Sequence, residues 1–180
     1  MRPLALALCA ALALGLAACK DEAAKPAPHR LTDDAVGHYC GMDLAEHEGP
    51  KGQILLKGSD TPIWFSSARD TIAFTLLPEE PKDIAAIYVS DMGVAPSWAE
   101  PGADNWTDAK TATFVIGSDA AGGMGGDEVV PFADKAKAEA FVAAHGGRTV
   151  AFDAIPPETV FGRAPAPALR CPVPGGHRPK

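Results

Sequence analysis

The stretch HYCGM, residues 38–42, places a thiol and a thioether two positions apart. Thiolates and thioethers are soft donors, and among biological metals such ligands favour Cu(I) over hard cations. Gly41 between them allows the backbone to turn so that both sulfurs face one ion. Zinc would require more thiolates or imidazoles, and a redox dithiol would require a second cysteine where Asp43 stands. The spacing therefore predicts a Cu(I) site at Cys40 and Met42.

A third donor is expected from elsewhere in the chain, because two sulfur ligands rarely complete a metal site. Met124 is the strongest remote candidate, since AAGGMGGDE predicts a glycine-rich hairpin with this thioether at an exposed tip. The alternative is that Met124 covers an apolar patch. His38 and His47 are expected to be solvated surface histidines, with His38 favoured as a ligand by its proximity to Cys40. Met92 is expected in the core. The predicted metal ligands are thus Cys40, Met42, Met124 and His38.

The first residues, MRPLALALCAALALGLAAC, have the features of an export signal. A positive start at Arg2 precedes an apolar run that is too short for a membrane span, and the run ends in small residues before Cys19. This ending is a lipobox, which predicts cleavage before Cys19 and attachment of a diacylglyceryl group to its sulfur. The alternative is an ordinary signal peptide cut nearby. Two or more acyl chains exceed the threshold for lasting membrane attachment, so the lipid is the expected membrane contact.

Charge and cysteine content narrow the function further. The formal net charge of −7 gives an exported protein no electrostatic reason to bind nucleic acid. If Cys9 leaves with the signal peptide and Cys19 carries lipid, the remaining thiols are Cys40 and Cys171. Cys171 lies in a Pro- and Gly-rich tail that is predicted to be disordered, so Cys40 is expected to be unpaired. A disulfide between Cys40 and Cys171 is the alternative.

The mature chain is predicted to contain two units with the same order of elements. In the first, the strands QILLKG and TPIWFS precede the helix SARDTIAFTLL, with Ser66 or Ser67 as its cap, and the strand IAAIYVSDM. In the second, the strands TATFVIGSD and EVVPF precede the helix ADKAKAEAFVAAHGG, with a glycine stop, and the strand RTVAFDAI. The connection GVAPSWAEPGADNWTDAK is expected to follow a packed path, because it carries two tryptophans.

The aromatic spacing supports a duplication. Phe65 and Phe74 in the first unit, like Phe132 and Phe141 in the second, are nine positions apart, and an alanine precedes the later phenylalanine each time. These aromatics are expected in the core, where a helix packs onto a sheet. The fold class is therefore α+β, with two tandem homologous ββαβ units packed as one small domain. The predicted segments are a signal peptide (1–18), lipidated Cys19 with a flexible tether (19–37), the two units (38–98 and 99–162) and a disordered tail (163–180).

Several motifs together resemble those of the NosL family, the accessory lipoproteins of nitrous oxide reductase. They are the lipobox, an early C-G-M, the run NWTDAKTATFVIGS, the GGMG hairpin and VVPFADKAKAEAFVAAHGG. The W-x-D-A segment at Trp106, Asp108 and Ala109 and the helix entry from Pro131 to Phe141 are the most specific. The resemblance extends from about Tyr39 to Phe152.

The resemblance implies a periplasm-facing Cu(I) chaperone, and not an enzyme, that supplies copper for the copper–sulfide centre of nitrous oxide reductase. It implies work beside a maturation complex made of an ABC transporter and a periplasmic partner protein. In that family the C-x-M sulfurs are the expected ligands, which here are Cys40 and Met42. The family's duplicated ββαβ architecture is similar to that of a domain of organomercurial lyase. A monomer is expected, anchored to the outer rather than the inner membrane.

Two other classes of function compete with a chaperone. An enzyme could use Cys40 as a nucleophile in a thiol or organometal-cleaving reaction, but the sequence offers no evident base, phosphate loop or paired carboxylates. A scaffold could bind its membrane partners without a metal. Asp33, Asp34, Glu46 and Glu48 are expected to form a solvated acidic rim.

Overall fold

A computed structural model describes residues 24–162, so the predicted signal peptide, Cys19 and the tail with Cys171 lie outside the described residues. The elements are β1 (Gly52–Leu56), β2 (Ile63–Phe65), α1 (Ala68–Leu76), β3 (Ile84–Ser90), β4 (Trp106–Asp108), β5 (Thr113–Ile116), β6 (Val130–Phe132), α2 (Lys135–His145), β7 (Arg148–Ala151) and α3 (Pro157–Phe161). Short 3₁₀ turns lie at Leu44–Glu46 and Phe152–Ala154. Among the helices of residues 24–162, none has the length and hydrophobicity to span a bilayer.

The strands form two antiparallel sheets with matching connections. In the first sheet β1 pairs with both β2 and β3, and in the second β5 pairs with both β6 and β7. The first strand of each ββαβ unit is therefore the central strand, and a helix follows the second strand in both. This arrangement confirms the predicted α+β class and the predicted order of elements.

The long connection between the units adds a fourth strand to the first sheet, which has the order β2-β1-β3-β4. Trp106 pairs with Ser90 across β4 and β3 and packs beside the buried Tyr88. Trp98 packs against the apolar cluster that contains Val115 and Phe132, and its carbonyl accepts a 2.8 Å hydrogen bond from the Gly49 amide. The packed path that the tryptophans predicted is therefore present. The strand itself was not predicted, because three residues are too few to show a period of two.

Side-chain and glycine caps set the helix ends. The Ser67 hydroxyl accepts a 3.0 Å hydrogen bond from the Asp70 amide, which caps α1. Asp134 caps α2 in the same way through the Ala136 amide, at 2.8 Å. Helix α2 ends at Gly146, whose φ of 73° is a conformation that favours glycine. The predicted serine cap and the predicted glycine stop are both confirmed.

Aromatic pairs join each sheet to its helix. The ring centroids of Phe65 and Phe74 lie 5.5 Å apart, and those of Phe132 and Phe141 lie 5.3 Å apart. The equal sequence spacing thus corresponds to the same strand-to-helix contact in both units, as the core interpretation predicted. The main core also crosses between units, since Phe114 of the second unit belongs to the cluster that contains Phe65 and Phe74.

The N-terminal segment from residue 24 lies along the first sheet, which differs from the predicted tether of residues 19–37. The amide of Gln53, fully buried in β1, exchanges two 2.8 Å hydrogen bonds with the backbone of His29. The Tyr88 hydroxyl donates to the Pro26 carbonyl at 2.6 Å. Buried polar groups require such partners, and the polar composition of the segment does not reveal that it supplies them.

Phe74 and Phe161 allow a test of where the core lies. Phe74 is fully buried and Phe161 is 50% exposed. Phe74→Ala should lower the free energy of unfolding by about 3–5 kcal/mol, because it leaves a cavity between α1 and the sheet. Phe161→Ala is the matched control and should cost about 1 kcal/mol or less. Urea unfolding followed by tryptophan fluorescence measures both, and equal losses would contradict this core.

Candidate metal site

Cys40 lies in a tight loop that is closed by backbone hydrogen bonds. The Gly37 amide donates to the Met42 carbonyl at 3.0 Å, and the Gly41 amide donates to the Gly37 carbonyl at 2.8 Å. Gly41 has a φ of 65°, in the left-handed region where a side chain is disfavoured, so it supports the turn as predicted. Gly37 is needed for another reason, since a Cβ atom there would lie 2.5 Å from Cys40 Sγ.

Both predicted sulfur ligands lie at the surface of this loop. Cys40 is partly exposed, and its Sγ lies 3.9 Å from the Met42 carbonyl oxygen. Met42 is 37% exposed. Within residues 24–162 Cys40 has no other cysteine to pair with, and the alternative disulfide to Cys171 lies outside the described residues. An incoming metal or ligand can therefore reach the loop from solvent.

His47 lies beside Cys40, although the sequence predicted a solvated surface histidine. Its side chain is buried, at 7% exposure, and Nε2 is 3.8 Å from Cys40 Sγ. The 3₁₀ turn at Leu44–Glu46 causes this placement, because residues three apart in such a turn lie on the same side. Leu44 is 1% exposed and anchors that side in the core, which turns His47 inward. An isolated leucine three positions before a histidine was the available signal.

His38, the favoured histidine of the sequence analysis, makes different contacts. Its Nε2 lies 3.4 Å from Glu80 Oε1, and its ring packs edge-on against Phe65 and Phe74. The Tyr39 hydroxyl donates to the same Glu80 carboxylate at 2.9 Å, and burial together with this hydrogen bond raises the pKa of Tyr39. The described contacts of the His38 imidazole are therefore with aromatic rings and Glu80, and those of His47 are with Cys40.

Met124 lies at the tip of the predicted glycine-rich hairpin and is 53% exposed. The Gly122 amide donates to the Gly126 carbonyl at 3.0 Å, which closes the hairpin. A Cβ atom on Gly123 would lie 2.6 Å from the Glu48 carbonyl oxygen and 2.9 Å from His47 Cβ. The hairpin therefore lies against the backbone that carries His47, and the residue next to Met124 has to be a glycine.

Two buried charged residues near this contact were not identified from the sequence. Lys51 is 2% exposed, and its ammonium donates to the carbonyls of His47 and Gly49. Burial lowers the pKa of Lys51 to about 8, although the nearby Glu128, Glu48 and Cys40 side chains oppose the shift. Charged side chains are usually exposed, so a lysine between a proline and a glycine gives no sign of burial.

Glu128 is the second buried charge, at 2% exposure. Its Oε1 accepts hydrogen bonds from the amides of Val129, at 2.9 Å, and Arg69, at 3.0 Å. Burial raises the pKa of Glu128 to about 7, although these two hydrogen bonds oppose the shift. The carboxyl thereby joins the base of the hairpin to the start of α1.

The other predicted residues lie as expected. Met92 packs, half-buried, against the cluster of Val115 and Phe132, as the core interpretation predicted. The four residues of the predicted acidic rim are exposed. In residues 24–162 no three His, Cys, Asp or Glu side chains lie close enough together to hold a metal ion. A site at Cys40 and His47 would therefore need thioether donors to complete it.

A model of a known protein family, described as NosL, matches residues 28–160 of the chain. The chain belongs to the NosL family. It is 49% identical over 144 residues to the copper-binding lipoprotein NosL of Achromobacter cycloclastes, which covers 79% of this chain and 74% of that protein. It is 34% identical over 147 residues to the copper-binding lipoprotein NosL of Stutzerimonas stutzeri, with coverages of 80% and 75%.

A solved structure is similar as well. The crystal structure of the copper chaperone NosL from Shewanella denitrificans matches with a TM-score of 0.66 and 37% identity, over 73% of this chain and 96% of that chain. These relatives are named as copper-binding lipoproteins or as a copper chaperone, and none of the three is named as an enzyme. The predicted family and the prediction that the chain is not an enzyme agree with these findings.

Glu128 should give the free energy of unfolding a pH dependence that can be isolated by mutation. Its pKa of about 7 in the folded protein exceeds the ordinary 4.5, so between these values the folded state holds more protons than the unfolded state. The contribution of Glu128 to the free energy of unfolding is fully present below about pH 4.5. It falls by roughly 3 kcal/mol as the pH rises through 7. Glu128→Gln keeps the acceptor for the two amides and should remove this loss.

Urea unfolding at pH 5 and pH 8 measures the effect as the difference between wild type and variant. Glu128→Gln should be more stable than wild type at pH 8. Glu139→Gln, which replaces an exposed carboxylate on α2, is the matched control and should leave the wild-type pH dependence in place. A loss of stability of the same size in wild type and Glu128→Gln would contradict the assignment.

Proposed function

We propose that this protein is a lipid-anchored Cu(I) chaperone that delivers copper for assembly of the copper–sulfide centre of nitrous oxide reductase. The observation that carries the proposal is the 3.8 Å separation of Cys40 Sγ and His47 Nε2 in a surface loop that also presents Met42. The names of the relatives support copper as the metal. The soft donors support its Cu(I) state, because thiolate and thioether ligands select that ion.

The proposed ligands are the Cys40 thiolate, the Met42 thioether and the His47 imidazole. Bonds of about 2.0–2.3 Å from one ion to sulfur and nitrogen, the lengths known for zinc, place two opposed donors up to about 4.4 Å apart. The observed 3.8 Å therefore suits a shared ion with little rearrangement. Met124 is proposed as a further thioether donor, since its hairpin lies against the His47 segment. His38, engaged with Glu80, is the weaker candidate for the third ligand.

Exposed sulfur ligands suit a protein that transfers its metal to an acceptor protein. Met42 and Met124 are 37% and 53% exposed, so an acceptor's ligands can approach the ion while the protein's own ligands leave one at a time. Copper remains Cu(I) throughout such an exchange, and one donor replaces another without any change in the electron count. A closed site of buried ligands would retain the metal.

The anchor would hold the domain near a membrane. Cys19 is five positions before Ala24, the first described residue, and that stretch of chain spans at most about 18 Å. The relatives are named as lipoproteins, which supports lipid on Cys19 and a periplasm-facing location, proposed at the outer membrane. The proposed partners are the reductase and its maturation complex of an ABC transporter and a periplasmic protein, with this protein acting as a monomer. No nucleic-acid partner is proposed, given the net charge of −7.

An anaerobic Cu(I) titration of the mature protein in detergent, read by competition with a chelating dye, tests the metal chemistry. Wild type should bind one tight equivalent. Removing a group that only hydrogen-bonds a metal ligand typically lowers metal affinity by about 10–100-fold. Loss of a ligand itself should cost at least as much, so Cys40→Ser should weaken binding by more than about 100-fold and His47→Ala by at least about 10-fold. His38→Ala is the matched control and should change the affinity by less than about 3-fold. Binding that is indifferent to Cys40 would refute the proposal.

The metal-free scaffold is distinguished by the cellular role of the same variant. A strain that carries Cys40→Ser should produce nitrous oxide reductase that lacks its copper–sulfide centre, because no copper is delivered. A scaffold that acts without metal would instead leave the spectrum of the purified reductase unchanged.

A further inference from the structure

We infer that Lys51 is a positioning residue whose buried ammonium holds the segment 47–49 so that the His47 imidazole stays beside Cys40. The inference rests on the proposed copper function, because it assigns a residue that orders one of the proposed ligands. Lys51 is not itself proposed as a copper ligand. It acts through the backbone of His47, which is.

The burial of Lys51 is the first observation. The side chain is 2% exposed, and its ammonium donates to two carbonyls of one short segment, those of His47 and Gly49. A buried charge is costly unless it is paired and hydrogen-bonded, and an apolar side chain of similar size would avoid that cost. The ammonium therefore has a specific structural task, and the two carbonyls identify it as fixing the conformation of residues 47–49.

Hydrogen bonds to β3 hold the backbone of Lys51, which sets the point from which its side chain extends. The Lys51 amide donates to the Ser90 hydroxyl, and the Ser90 amide donates to the Lys51 carbonyl, each at 3.0 Å. The next residue, Gly52, pairs with Val89 in the ladder between β1 and β3. The centre of the first sheet thus sets the position of the segment that carries His47.

Other elements contact the segment 47–49, but their described contacts do not include the His47 carbonyl. The Gly49 amide donates to the Trp98 carbonyl at 2.8 Å, and Gly123 of the hairpin lies against the Glu48 backbone. Among the described contacts, Lys51 is the donor to the His47 carbonyl. Its loss should free the backbone of His47 and allow the imidazole to move away from Cys40.

The charges that face Lys51 suggest a competing account. Glu128, Glu48 and Cys40 all lie near its ammonium. In that account Lys51 strengthens copper binding through its charge beside Cys40, without any action on His47. The two accounts differ in whether the effect of Lys51 requires the His47 side chain, which a double-mutant cycle measures directly.

The test is the Cu(I) affinity of the mature protein in detergent for wild type, Lys51→Met, His47→Ala and the double variant. Groups that orient a metal ligand are typically worth about 10–100-fold in affinity, so Lys51→Met should weaken binding by at least about 10-fold in the wild-type background. In the His47→Ala background the same change should weaken binding by less than about 2-fold. Lys57→Met removes an exposed lysine from the end of β1 and should leave the affinity unchanged.

Each remaining outcome is decisive. An equal loss in both backgrounds, or no loss in either, would overturn the positioning role while leaving the copper function intact. Failure of wild type to bind Cu(I) would overturn the proposed function, and the inference with it. Far-UV circular dichroism checks folding. If Lys51→Met does not fold, Lys51→Gln, a neutral side chain with a shorter reach, replaces it in the same cycle and is judged by the same ratio.

Discussion

The position of the segment 47–49 is the constraint on which the candidate site depends. The first sheet holds it through the Lys51 ammonium, and the hairpin of the second unit lies against it at Gly123. Cys40 and His47 come together because a 3₁₀ turn anchored by Leu44 turns the chain back between them. The site therefore lies where the two ββαβ units meet, and it requires their shared core to keep its geometry.

This arrangement combines a rigid base with exposed donors. His47 and Lys51 are buried, whereas Cys40 is partly exposed and the thioethers of Met42 and Met124 are at the surface. Residues 31–50 contain five acidic residues and no lysine or arginine, so the surface around Cys40 is acidic. Acidic surfaces attract cations and basic protein faces at long range. The arrangement therefore leaves the sulfur atoms open to solvent, while the buried residues keep the His47 imidazole beside Cys40.

Much of the fold follows from local sequence signals, because each of those signals has a local physical cause. Serine at position 67 caps α1, glycine at position 146 ends α2, and the nine-residue spacing of phenylalanines reports a strand packed on its helix. The order of the strands and the helix within each ββαβ unit could be predicted for the same reason. The short strand β4 and the path of the N-terminal segment could not, since they depend on partners distant in sequence, such as Gln53 and Ser90.

The candidate site was predictable only in part. Cys40 and Met42 follow from the chemistry and spacing of their sulfurs, and Met124 from the glycines around it. His47, Lys51 and Glu128 were missed because a polar side chain is expected in solvent unless a tertiary contact buries it. Such contacts join residues distant in sequence, as when the Glu128 carboxylate accepts from the Arg69 amide and Gly123 lies against His47, and no local pattern records them.

The most direct test of this account is copper K-edge X-ray absorption of the Cu(I)-loaded mature protein, compared between wild type and His47→Ala. If His47 is a copper ligand, wild type should show sulfur donors together with one imidazole nitrogen, and the variant should lose the imidazole signal. A shell of sulfur alone in wild type, or an imidazole signal that persists in His47→Ala, would contradict the assignment of His47 as the ligand beside Cys40.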